Sequence, residues 1–299
     1  MQEVHPLVEQ QFSYIPIDFF LMYVSFVLGL MVGSFLNVCI RRLPREEPAE
    51  RSIVKPRSHC PQCKSPIAWY DNIPVVSFLL LGGKCRACKT KISAIYPAVE
   101  LLTALLFLAC VIVFGASLAA LKWALFSCIL LVLVFTDILD RILPDPVNYF
   151  GLGAGLLQSF FFAPADGSAE WLAWKLFAYP PPTAVLSFAD ALFGAALGGG
   201  LLWLVGEAYF KLRGREGMGF GDVKMMAMAG AFFGPQRTFL TVLVGSLLGS
   251  ILGMLFILVR RKGSDYELPF GAFLGAAALL VIFFGNPVLD WYLRTAGLR

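Results

Sequence analysis

Two sets of residues in this chain have types and spacings that could do chemistry. The first is a pair of carboxylates at the ends of apolar runs. Asp222 lies in Gly219-Phe220-Gly221-Asp222-Val223-Lys224, and Asp137 closes the run Phe135-Thr136-Asp137. A carboxylate that enters a membrane-length apolar segment is costly and calls for a reason. Glycines beside Asp222 let backbone come close, because no Cβ stands in the way. The same residues also suit a turn whose Asp caps the next helix. Two carboxylates brought close in a low-dielectric site cannot both ionise easily, so one keeps a proton. The ionised one can take a proton from water while that water attacks a peptide carbonyl. The protonated one can hydrogen-bond the carbonyl oxygen and then help the amine leave. Asp137 and Asp222 are 85 positions apart, so only the fold can join them.

The second set is a cysteine quartet. Cys60-Pro61-Gln62-Cys63 and Cys85-Arg86-Ala87-Cys88 are two C-x-x-C pairs with 21 residues between them. Each pair can place two thiolates on one ion, and four thiolates close a tetrahedral sphere, so the expected metal is a structural zinc. Disulfides and redox thiols are the alternatives. The basic surroundings argue for the cytoplasm, where thiols stay reduced. Cys39, Cys110 and Cys128 lie in apolar runs and read as core residues.

These groups need elements to hold them. The 299 residues are 58% hydrophobic and only 15% charged, which points to a polytopic membrane protein. The net charge of +4 does not suggest nucleic acid as a partner. The expected fold is all-α, with about eight transmembrane helices near 17–40, 95–114, 119–136, 147–163, 184–207, 223–235, 236–259 and 268–285. The residues before the first run lack the basic n-region of a signal peptide, so that run reads as a retained anchor. Gly29 with Gly33, Gly194 with Gly198, and Gly245, Gly249 and Gly253 repeat at four-residue spacing, which suits close helix packing. Residues 41–93 hold eleven Lys or Arg, several Pro and the cysteine quartet. They form a small domain between helices 1 and 2 that a metal staple would help to fold. The expected organisation is an outside N-terminus and first helix at 1–40, a cytoplasmic zinc domain at 41–93 and a membrane domain of seven helices at 94–299.

Charge sets the topology. The segments 41–93, 137–146, 208–224 and 260–267 carry nineteen of the chain's 24 Lys and Arg, so they are expected in the cytoplasm, with both termini outside. The zinc domain, Asp137 and Asp222 then share the cytoplasmic face. Further polar groups lie at the same edge. Asn37 and Glu100 sit within apolar runs, where polar groups face protein or a cavity rather than lipid. Asp140 and Asp145 look more solvent-facing, and Asp145 could cap the following helix. Lys224 could orient a substrate or simply snorkel. In the outside loop 164–182, Trp171, Trp174 and Tyr179 suit an interfacial aromatic belt, although an ordinary surface loop is the simpler reading.

Taken together, these motifs resemble the type IV prepilin peptidases, which are bifunctional leader peptidases and N-methyltransferases. The resemblance runs from about residue 28 to 285. It rests on Gly33-Ser34-Phe35-Leu36-Asn37-Val38, Arg42-Leu43-Pro44, both cysteine pairs, Asn72-Ile73-Pro74, Tyr96-Pro97-Ala98-Val99-Glu100, Leu143-Pro144-Asp145 and Gly219 to Lys224. It implies a Gly-x-Gly-Asp aspartic membrane protease with Asp137 and Asp222 as the catalytic pair and Gly219, Gly221, Lys224 and Asp145 in supporting roles. It implies removal of a basic leader from prepilins or type II secretion pseudopilins, after a Gly, at the cytoplasmic edge of the bacterial inner membrane. The new N-terminal residue would then be methylated with S-adenosylmethionine, and Asn37, Arg42 and Glu100 mark a candidate methyl-transfer site. The chain departs from the family pattern in a longer interval between Asp137 and Asp222, and in Asn148 after Leu-Pro-Asp.

Overall fold

The computed structural model describes residues 6–47, 50–55, 57–163, 167–176, 181–215, 217–260 and 269–297. Among them are ten α-helices and no strand. The chain divides into two compact units, with the boundary between Cys128 and Ile129.

The first unit contains α1 (Pro6–Arg42), the short α2 (Val76–Leu80), α3 (Ile95–Phe114) and the first half of α4 (Leu118–Asp140). Glycine lets α1 and α3 touch backbone to backbone. A Cβ on Gly29 would lie 2.5 Å from Ala104 Cα, and one on Gly33 would lie 2.6 Å from Glu100 Cα. The four-residue glycine spacing of helix 1 therefore marks a helix–helix seam. Residues between α1 and α3 fold around the cysteines, with a 3₁₀ turn at Trp69–Asn72 and two isolated bridges, His59 with Pro66 and Lys84 with Lys91.

The second unit holds the rest of α4, then α5 (Asp145–Gln158), α6 (Ser168–Leu176), α7 (Thr183–Arg213), α8 (Phe220–Phe233), α9 (Pro235–Arg260) and α10 (Phe270–Thr295). Its centre is α8. Met225, Met226, Met228, Ala229, Phe232 and Phe233 are all buried there, and a helix covered on every side needs no single apolar stripe. Small residues let its neighbours approach: Gly194 of α7 meets Gly230 backbone to backbone, and Gly155 of α5 faces Ala231 and Phe232. Gly245 of α9 meets Leu274 of α10 in the same way, and Gly249 meets Phe273. Gly234, at φ 75°, ends α8 in a conformation that L side chains rarely adopt, and Pro235 opens α9 directly after it.

Among the described residues, six helices are long and apolar enough to cross a membrane: the Phe19–Arg42 part of α1, α3, α4, α7, the Pro235–Leu255 part of α9, and α10. The chain is thus a multi-pass membrane protein. The segments expected near 147–163 and 223–235 form α5 and α8, each of 14 residues. At 1.5 Å per residue each reaches about 21 Å, short of the roughly 30 Å hydrocarbon core. α8 is apolar because it is buried against protein, whereas α5 keeps Tyr149, Phe150 and Leu157 exposed, as a lipid-facing helix does.

The described part of the segment 164–182 contains a short helix, α6, whose N-terminus is fastened by a fully buried carboxylate of α7. Asp190 accepts the amides of Gly167 (3.1 Å) and Ala169 (2.6 Å), two donors that a helix start cannot satisfy by itself. Trp171 and Trp174 stand exposed on this helix, as a membrane-interface belt requires. Tyr179, Arg261 and Lys262 lie outside the described residues.

Candidate active site

Asp137 is the fourth residue from the end of α4, and Asp222 is the third residue of α8. Both are buried, each 7% exposed. Their carboxylates are held by backbone donors at helix starts. Ala272, in the first turn of α10, donates its N–H to Asp137 Oδ2 at 2.7 Å. The Gly219 N–H is the backbone donor beside Asp222.

Gly271 shows how close the two acids are. A Cβ on Gly271 would lie 2.8 Å from Asp222 Oδ1 and 3.1 Å from Asp137 Oδ2. Those distances put the two oxygens at most about 6 Å apart, a span that one water can bridge. Three helices from distant parts of the chain therefore meet at one point, and the lack of a side chain at Gly271 makes room for it. Gly271 and the Ala272 amide are absent from the sequence reading. The only local signal is Pro269-Phe270-Gly271, which looks like an ordinary helix start.

The two motif glycines differ. Among the described residues, Gly219 has only the Asp222 carboxylate near its Cβ position, at 3.7 Å, apart from the adjacent backbone. Gly221 packs on Leu143, whose Cβ would lie 3.0 Å from an added methyl, so its smallness admits the Leu143-Pro144-Asp145 turn. Leu143 also reaches Gly271, at 2.9 Å by the same measure, and so wedges the site from the side.

Lys224 and Asp145 pair with each other. Lys224 Nζ lies 2.7 and 2.8 Å from the two Asp145 oxygens, with the Phe220 and Tyr149 rings 5.2 and 5.4 Å away. Asp145 opens α5, where a carboxylate also favours the helix dipole, but it does not cap that helix through its side chain. Asp140 is exposed. Asn148, one turn further along α5, is buried, and neither amide atom has a partner among the described residues.

The cysteines form a second, separate cluster. Each pair builds the same knuckle. Cys60 N–H donates to Ser65 and Cys85 N–H to Thr90, while Lys64 and Lys89 donate back to Cys60 and Cys85 from left-handed conformations, at φ 57° and 60°. All four Sγ atoms lie within 4.8 Å of one another, and Cys60 and Cys88 are 3.8 Å apart. A zinc–thiolate tetrahedron with 2.3 Å bonds has sulfur–sulfur edges of about 3.8 Å, so the quartet fits zinc. None of the four is in a disulfide. The bare thiols do not ionise together. The Thr90 hydroxyl and backbone bring Cys88 down to about 6. Against the lowering effect of Ser65, desolvation and the neighbouring thiols push Cys63 up to about 11. A divalent cation relieves that conflict.

The three residues expected at the methyl-transfer site are engaged with protein. Asn37 donates to the Tyr96 carbonyl at 3.0 Å, and Arg42 donates to the Ser52 carbonyl at 2.6 Å. Glu100 accepts the Val75 N–H at 2.7 Å and is bonded to Ser34. Asn37 and Glu100 thus belong to one α1–α3 seam, while Arg42 ties down the loop after α1.

Residues 27–114 match the bacterial peptidase A24 N-terminal domain, and residues 124–254 match the type IV leader peptidase family. The chain is 35% identical over 288 residues to the prepilin leader peptidase/N-methyltransferase of Aeromonas hydrophila, covering 90% of this chain and 92% of that one. It is 37% identical over 294 residues to the protein of that name in Pseudomonas aeruginosa, covering 92% and 94%. The corresponding Xanthomonas campestris protein is 35% identical over 291 residues, covering 91% and 94%. No solved structure matches it. With helices long enough to cross a membrane, both family regions in order and relatives matched along nearly their whole length, this chain belongs to the type IV leader peptidase family and is a membrane enzyme.

Proposed function

We propose that this enzyme cuts the basic leader from type IV prepilins or type II secretion pseudopilins, after a Gly, using Asp137 and Asp222. It then methylates the new N-terminal amine. One observation carries the peptidase reading: an oxygen of each carboxylate lies within about 3 Å of a single point beside Gly271.

In this reaction one carboxylate is ionised and the other protonated. The ionised group draws a proton from water as the water attacks the scissile carbonyl. The protonated group hydrogen-bonds the carbonyl oxygen and passes its proton to the departing amine. Ala272 holds Asp137 Oδ2, the oxygen nearest Gly271, and so fixes this carboxylate beside Asp222. The substrate backbone approaches from the Gly219 side, where no side chain intervenes. A pilin N-terminus, a basic leader followed by an apolar helix, would place its scissile bond at the membrane edge. The charge bias of the loops supports a cytoplasmic face for that edge and an inner-membrane location, with both termini outside.

Cys60, Cys63, Cys85 and Cys88 would hold a structural zinc, since four thiolates leave no open position for catalysis. S-adenosylmethionine supplies an electrophilic methyl group to the freed amine. Asn37, Arg42 and Glu100 bind their own chain rather than forming an empty polar cradle, so no step is derived through that group.

The test is incubation of the purified protein with a synthetic prepilin peptide, with and without S-adenosylmethionine, followed by mass spectrometry. The expected product is the peptide lacking its leader, one methyl group heavier when the donor is present. An intact peptide from folded, zinc-loaded protein would refute the proposal.

A further inference from the structure

Just before α2, the chain is tied to a membrane helix. Arg41 lies over the Tyr96 ring at 5.4 Å, so the cationic end of α1 is level with the first turn of α3. Glu100 stands one turn deeper, and helical side chains point back toward the helix N-terminus, here toward that cationic level. Its Oε2 accepts the Val75 N–H at 2.7 Å. Val75 is therefore held at the edge that Arg41 and Tyr96 mark.

The exit from this tether is rigid. Val75 adopts φ 61° and ψ −49°, and the Val76 N–H reaches back to the Pro74 carbonyl at 2.6 Å. This is the strained form of the γ-turn, unusual for a β-branched residue. It sets the direction in which α2 leaves. Val76, Leu79 and Leu80 share one face of α2, at positions i, i+3 and i+4. Leu79 is 69% exposed and Leu80 82%. The opposite face turns inward, with the Ser77 hydroxyl donating to the Tyr70 carbonyl. Lys84, Lys89 and Lys91 follow, all exposed, while Arg86 is occupied by Asp71.

We infer that α2 is an interfacial anchor, whose Val76, Leu79 and Leu80 lie at the headgroup–acyl boundary of the same bilayer that α1 and α3 cross, with the following lysines among anionic headgroups. Lipid is the occupant because the backbone bond to Glu100 holds α2 at membrane level. An apolar face there, followed in the chain by exposed cations, matches an acyl boundary and its phosphates in turn.

The test uses the full-length, zinc-loaded protein in nanodiscs of zwitterionic and anionic phospholipid. A nitroxide is attached through a keto amino acid at Leu79 or Leu80, with exposed Leu105 of α3 as the lipid reference. Electron paramagnetic resonance then compares collision with oxygen against collision with a water-soluble nickel chelate. High oxygen and low nickel accessibility, as at Leu105, is the expected result. Nickel access would overturn the proposal by placing the face in water, and shielding from both would overturn it by placing the face against protein. A benzophenone side chain at Leu80 gives a second reading: adducts to phospholipid support the anchor, and adducts confined to peptide contradict it.

Discussion

Replacing Gly271 with Ala probes the point where three helices meet. The added methyl would lie 2.8 Å from Asp222 Oδ1, 2.9 Å from Leu143 Cδ1 and 3.1 Å from Asp137 Oδ2. Each distance is shorter than an ordinary contact of about 3.5 Å. Leu143 ends in a flexible branch and can move aside. The carboxylates have less freedom, because Ala272 holds one and Gly219 the other. Overpacking of this kind costs about 1–3 kcal/mol, and relief comes by turning a carboxylate or shifting α10. Either movement displaces a reacting group by a fraction of an ångström to about 1 Å, which can lower a rate by about 10²-fold. Prepilin cleavage by Gly271→Ala should therefore fall about 10- to 100-fold in kcat with KM little changed. Cleavage is read by mass spectrometry under single-turnover conditions. Zinc content and methylation of a pre-cut pilin peptide serve as controls, because neither depends on the acid pair. Cleavage within twofold of the parent enzyme would refute the reasoning, since a methyl group between two carboxylates that act together cannot be silent.

Other substitutions separate structure from chemistry. Changing any one of Cys60, Cys63, Cys85 and Cys88 to Ser should drop zinc from one ion per chain to near zero by metal analysis, while substantial cleavage remains; retained stoichiometry contradicts the quartet. Arg86 grips Asp71 with two hydrogen bonds and holds its carboxyl below the usual range. That stabilisation is present above the ordinary carboxylate pKa and is lost as pH falls through the depressed one. Zinc release followed against pH should begin at higher pH in Asp71→Asn, and coincident curves would exclude a role for the pair. Lys224→Met should lower stability by no more than about 1 kcal/mol, because its partner Asp145 is half exposed. Asn148→Leu replaces a buried amide that has no partner among the described residues with an apolar side chain of the same branching but larger methyls, and should raise thermal stability by about 1–3 kcal/mol; a loss not recovered by the smaller Asn148→Ala would mean that the amide has a partner after all.

Some features could be read locally and others could not. The cysteine knuckles were legible because each pair folds on itself within six residues, so spacing alone carries the geometry. Apolar length likewise revealed α1, α3, α4, α7, α9 and α10. It also located α5 and α8 but not their 14-residue length, because a helix buried in protein and one facing lipid have the same composition. The spacing of Gly29 and Gly33 gave the α1–α3 seam, since one helix face is a local property. The meeting of Asp137, Asp222 and Gly271 depends on α4, α8 and α10 packing together, and no window of sequence contains it. Asp190 went unremarked inside its apolar run, for its partners are backbone amides of another helix. Gly221 shows the same limit: the motif suggests open backbone, whereas the fold fills that space with Leu143.

The pairing of Asp137 with Asp222 is tested most directly by cleavage rates of Asp137→Asn, Asp222→Asn and the double variant, each with zinc content and methylation of a pre-cut peptide at parental levels. Groups that act as one unit are not additive, so either single change should lower cleavage by at least about 10³-fold and the double change should do no further harm. Parental processing by either single variant, or losses that multiply in the double variant, would contradict a shared two-carboxylate mechanism.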